Sequence, residues 1–87
     1  NTCESLGLYE ESIIYNLKAL ALAKESNDSV SITTVYNNMG ITYNQMGDYA
    51  LAVYHLLKAI QLDEKRNDTL ALGYDYINLA ESYYYAN

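Results

Sequence analysis

The sequence predicts an all-α fold, a solenoid of about four helices packed as antiparallel pairs. Three observations lead there. The chain matches itself at a single offset of 40 residues; apolar residues recur at three- and four-residue spacing; and the breaks fall on glycine or Asn-Asp clusters at equivalent places. The offset pairs Gly7 with Gly47, Tyr9 with Tyr49, Lys18-Ala19 with Lys58-Ala59, and Asn27-Asp28 with Asn67-Asp68. It continues through Tyr36 with Tyr76, Asn38 with Asn78 and Tyr43 with Tyr83. Chance similarity scatters over many offsets, whereas an internal duplication holds one.

The elements follow in order. Asn1 to Ser5 read as the tail of a helix, ended near Gly7, and a second helix is expected from about Leu8 to Glu25. Asn27-Asp28-Ser29 then opens a new one, because Asp and Ser side chains accept hydrogen bonds from the free amides of a first turn. In that helix Ile32, Val35, Tyr36, Met39 and Tyr43 share one apolar face. Gly47 ends it and Asp48 caps the next, whose apolar run is Tyr49, Ala52, Val53, Leu56, Ala59 and Ile60, stopping near Arg66-Asn67. A last helix is expected from about Thr69 to the end. Residues 1–28 therefore read as the end of one repeat, mainly its second helix, 29–68 as a complete repeat, and 69–87 as the first helix of another. Cut out of phase in this way, the chain is expected to be a piece of a longer array, with exposed ends that favour self-association.

The small residues narrow the architecture further. Gly40, Ala52 and Ala59 fall where helices must approach closely, amid the order Tyr36, Met39-Gly40, Tyr43, Gly47, Tyr49, Ala52, Leu56, Ala59. This order resembles the tetratricopeptide repeat, most closely from Thr33 to Glu64. The flanking units depart from it, with Ala80 in place of the glycine, Ser12 of an alanine and Asn16 of a large apolar residue. The family's usual proline is absent near Glu64, and the 40-residue period is longer than the common one. The resemblance implies a module that binds proteins or peptides, with the first helix of each pair lining a concave surface. Long-period variants of this kind are similar to the repeat domains of bacterial sensors and regulators and of some eukaryotic adaptors.

Charge excludes other classes. Five basic against eleven acidic residues give a formal charge of -6, the reverse of what phosphate neutralisation needs, so no nucleic-acid contact is expected. Lys18, Lys24, Lys58, Lys65 and Arg66 read as complements to helix dipoles. The uncharged stretch Ser29 to Gly47 is too rich in Ser, Thr, Asn and Gln to sit in lipid, so no membrane insertion is expected. A soluble protein follows, with the cytoplasm the favoured compartment.

No catalytic constellation is legible. His55 reads as a surface residue on the polar side of an outer helix, and Cys3 has no second thiol. Glu10-Glu11 and Asp63-Glu64 read as solvated charges, because neighbouring helix positions point in different directions. No enzyme, metal or cofactor is expected.

The resemblance instead places a binding site on the first helices. On the helix from Ser29 to Met46, the stripe opposite the apolar face holds Thr34, Asn37, Asn38, Ile41, Asn44 and Gln45. The last helix offers Tyr74, Ile77, Asn78, Glu81, Tyr84 and Tyr85 at matching places. Asn38 and Asn78 stand out, since an asparagine amide can bracket a peptide unit whatever its side chain; the structural alternative is that each bonds a neighbouring helix or a turn. Tyr83 reads as core, while Tyr84 and Tyr85 face either a ligand or a further helix. A lysine-arginine clamp for a terminal carboxylate is not expected, because these helices carry neither residue. The reading is an interaction module of a larger regulatory or sensor protein, holding an extended, neutral or cationic segment. The alternative is a structural spacer or self-association element.

Overall fold

The computed structural model describes residues 2–86, with side chains from residue 7 onward. Four helices make it up: α1 (Thr2–Glu25), α2 (Ser29–Met46), α3 (Tyr49–Lys65) and α4 (Thr69–Ala86). α2 packs between α1 and α3, and α4 lies against both α3 and α2. Among the described residues there is no strand.

The turns explain why the helices stop where they do. Gly47 takes the left-handed conformation at φ 85°, and the backbone amides of Gly47 and Asp48 return to the carbonyls of Asn44 and Tyr43. Asp48 then accepts from the Leu51 amide at 3.3 Å and opens α3. At the other two turns asparagine takes the glycine's place, with φ 56° at Asn27 and 55° at Asn67. Asparagine tolerates this region better than most residues with a Cβ. The bonds repeat with the sequence: the Asp28 amide reaches Ala23 O and the Asp68 amide reaches Asp63 O, each at 3.0 Å. Asp28 and Asp68 cap the helices that follow.

One expected break is missing. α1 runs without interruption past Gly7, so residues 2–5 belong to it and are not the tail of a separate helix. The reason is local: Leu8 stands where Asp48 stands one period later and cannot cap a new helix. Asn1 and the side chain of Cys3 lie outside the described residues.

The core is centred on α2 and α3, where Met39, Ala52, Leu56 and Ala59 are almost fully buried. Removing Met39 or Leu56 from water contributes about 2 kcal/mol each. Gly40 makes the close approach possible. A Cβ built on it would lie 2.5 Å from both Cγ and Cδ2 of Leu56. Leu56 is itself enclosed, so even alanine would push the helices apart.

His55 is not the surface residue expected of it. Its half-buried ring stacks on Tyr43 with centroids 5.2 Å apart, and Tyr54 meets it edge-on at 5.0 Å. Nδ1–H donates to Leu51 O at 2.8 Å, so the imidazole serves as a flat packing surface. Tyr43 is covered in this way by α3. Tyr83, its equivalent on α4, is 53% exposed rather than core.

Candidate functional site

The first helices of successive pairs, α2 and α4, lie side by side, and a ladder of polar side chains ties them together. Asn37 Nδ2–H donates to Asp75 Oδ1 at 2.6 Å, and Asn78 Nδ2–H donates to Asn37 Oδ1 at 3.2 Å. Farther along, Asn44 donates to the Asn78 carbonyl, while the Ser82 hydroxyl donates to Asn44 Oδ1 at 2.6 Å. Amides suit this seam because each carries both a donor and an acceptor, so Asn37 and Asn44 of α2 donate to α4 and accept from it as well.

The ladder separates the predicted site residues into two groups. Asn37, Asn44 and Asn78 have side-chain groups engaged between α2 and α4 and are only partly exposed. Asn38 and Asn78 are therefore not equivalent, although they match one repeat apart: Asn38 is exposed, while the amide of Asn78 is tied to Asn37. Thr34, Gln45, Tyr74, Glu81 and Tyr84 are exposed, and Ile41 is half-buried. The Thr34 hydroxyl turns back to Val30 O at 2.8 Å.

Two clefts open along the seam, one towards each end. The first, about 170 Å³, has Thr34, Asn38 and Tyr74 on its walls, with Asp63 and Asp75 also lining it. The second, about 250 Å³, is lined by Ile41, Asn44, Gln45, Tyr49, Glu81 and Tyr85. Tyr85 stacks on Tyr49 at 6.3 Å, and Tyr84 meets Tyr85 edge-on at 5.1 Å.

The first cleft contains what sequence reasoning missed. Asp63 is not a solvated charge: it is 1% exposed, and its Oδ1 accepts from Thr33 Oγ1 and from the Arg66 guanidinium, each at 2.9 Å. Glu64, its neighbour, is exposed as expected. Arg66 also grips Asp68 at 2.6 Å, so it bridges two carboxylates in addition to ending α3. Asp75 is 2% exposed, and its Oδ2 has no hydrogen-bond partner. Burial and the neighbouring Asp63 push its carboxyl up to about 7, against the opposing effect of Asn37 and the more distant Arg66. A signal for this pair was present in the sequence. Asp63 and Asp75 stand one period after Ala23 and Val35, both buried apolar residues, so carboxylates occupy places that the repeat makes interior.

A tetratricopeptide-repeat family model matches residues 1–65, which span α1, α2 and α3. The chain belongs to the tetratricopeptide-repeat family. No curated protein and no solved structure matched it. Members of this family mediate protein–protein interactions and are typically non-catalytic, which agrees with an exposed seam flanked by clefts. Beyond the match, α4 continues the repeat through Asp68, which caps it as Asp28 caps α2. Among the described residues no group of three His, Cys, Asp or Glu side chains could hold a metal ion, and no helix is long and apolar enough to cross a membrane.

Proposed function

We propose that this repeat module holds an extended segment of a protein partner along the exposed face of α2 and α4, as part of a larger regulatory or sensor protein. The observation that carries this reading is the pair of clefts at opposite ends of one rigid seam, with Asn38 and Tyr74 exposed at the first and Gln45 and Glu81 at the second. A chain laid across them meets polar groups for its backbone and two separated pockets for side chains, the usual division between affinity and specificity. Tyr74 and Tyr84 add amphipathic anchors at low entropic cost. The formal charge of -6 favours a neutral or cationic segment, chiefly through its rate of arrival.

Selection of short peptides from a displayed random library, followed by amide-shift mapping on the 87-residue chain, tests the reading. Bound peptides should perturb α2 and α4 at both clefts, and Asn38→Ala with Tyr74→Ala should weaken them about tenfold or more. Peptides that map to the outer face of α1 or α3 would refute it.

A second reading, self-association, rests on the same exposed face of α4, where Leu70 and Ile77, one turn to either side of Tyr74, are largely exposed. Sedimentation of the chain and of its Leu70→Lys, Ile77→Lys form distinguishes the two. A dimer that the lysines abolish supports self-association, and a monomer in both removes it.

A further inference from the structure

Asp63 and Asp75 together are one donor short. Every donor around them is already committed: Thr33 and Arg66 to Asp63, and Asn37 to the first oxygen of Asp75. Asp75 Oδ2 is left buried and unpaired in a side chain that lines the first cleft. A lone carboxylate oxygen in this position is costly, and structures rarely leave one without a reason. The cleft beside it has room for a side chain, and Tyr74, 60% exposed, stands on its wall.

We propose that the first cleft is a subsite for one basic side chain, lysine or arginine, of the bound segment, whose cationic head gives Asp75 Oδ2 the donor it lacks while Tyr74 flanks the cation. This rests on the peptide-binding reading above and specifies one position of the peptide. A carboxylate at the floor and an aromatic ring at the wall is an arrangement that suits an organic cation. A metal ion fits poorly, because a single free oxygen falls well short of the several a hard cation requires.

The charges facing Asp75 come from each packed element. The end of α3 and the following turn supply Asp63 and Arg66, with Asp68 bound to Arg66; α2 supplies the neutral Thr33 and Asn37; and α4 supplies Tyr74. One guanidinium shared among three carboxylates leaves the group with an excess of negative charge. In the empty cleft, below about pH 7, a proton fills the vacant place on Asp75 and is shared with the Asp63 carboxylate. The basic side chain competes with that proton, so its affinity should fall about tenfold per pH unit once the pH drops below about 7.

The test titrates N-acetyl-arginine amide, and its neutral citrulline counterpart, into the 87-residue chain while amide shifts are followed. At about pH 8 the arginine compound should move Thr34, Ala71 and Asp75, and the citrulline compound should not. Asp75→Asn should abolish the response. That variant keeps an acceptor for Asn37 and gains a donor towards Asp63, so it folds, and circular dichroism verifies this. Tyr74→Leu, at an exposed position, should weaken binding about fivefold. Equal shifts from citrulline, a response retained in Asp75→Asn, no effect of pH, or no shift with arginine would each overturn the subsite. The two readings fail separately. Selected peptides that bind the seam equally well with arginine or citrulline over the cleft would remove the subsite and leave the groove. An arginine response without any peptide binding would do the reverse.

Discussion

Ala23 and Val35 line the junction between α1 and α2, and 40 residues on Asp63 and Asp75 hold the same two places between α3 and α4. The two joints share turn geometry, down to a 3.0 Å bond from the capping aspartate's amide. They differ in what fills them. The replacement is coordinated, because Ser26 of the first joint becomes Arg66 in the second. Ser26 makes only a local bond to Leu22 O, whereas Arg66 reaches across to Asp63 and Asp68. A helix-pair scaffold fixed by capping and small residues therefore tolerates either an apolar or an ionic joint, Asp63 arriving with its donors and Asp75 with one donor and a raised carboxyl.

Making the first joint ionic without those donors should have the largest effect. Val35→Asp buries a carboxylate that nothing nearby satisfies, at a cost of about 3 kcal/mol near pH 8. Chemical denaturation should show the loss shrinking at lower pH as the new carboxyl takes up a proton. Asp63→Ala should cost about 2 kcal/mol near pH 5, because it removes one of the two acceptors that Thr33 and Arg66 each have. Converting the second joint to the residues of the first, Asp63→Ala with Asp75→Val, should fall within about 1 kcal/mol of wild type near pH 5 and be the more stable protein near pH 8. A severe loss in the double variant would show that the joints are not interchangeable.

The remaining effect is a change of slope with pH. Asp75 is raised from 3.8 to about 7, so between those values the folded chain keeps a proton that the unfolded chain has released. Its contribution to stability is therefore full below about pH 4, declines as pH rises, and is gone above about 7. Asp28 works in the opposite sense. The Ser31 hydroxyl and amide hold its carboxyl below 3.8, so its contribution is present above that value and lost as the solution becomes more acidic. Thermal melting across pH should show both limbs in the wild type. In Asp75→Asn the decline between about pH 4 and 7 should disappear, while the acidic limb should remain.

Much of this was legible in the residues. The boundaries of α2, α3 and α4 follow from Asp28, Gly47, Asp48 and Asn67-Asp68, and the close approach at Gly40 from its place in the repeat. These features depend on neighbours in sequence or on a position that the period fixes. What escaped depends on how the helices rotate against one another. Asn37 and Asn78 are 41 residues apart, one off the repeat, and only the offset of α4 along α2 brings their side chains together. The burial of His55 likewise depends on two tyrosines of α2 converging with one from its own helix, which a helical-wheel reading of α3 alone places in water.

Arg66 sits where the chain turns from α3 into α4, with one nitrogen on Asp63 and the other on Asp68. Asp68 in turn receives the Ala71 amide at the start of α4. The guanidinium thus couples the interior of the joint to the first turn of the next helix. A change of charge around Asp63 would be transmitted along this tether as a changed hold on the beginning of α4, so the setting of one helix against the next is linked to the ionic state of the pocket between them.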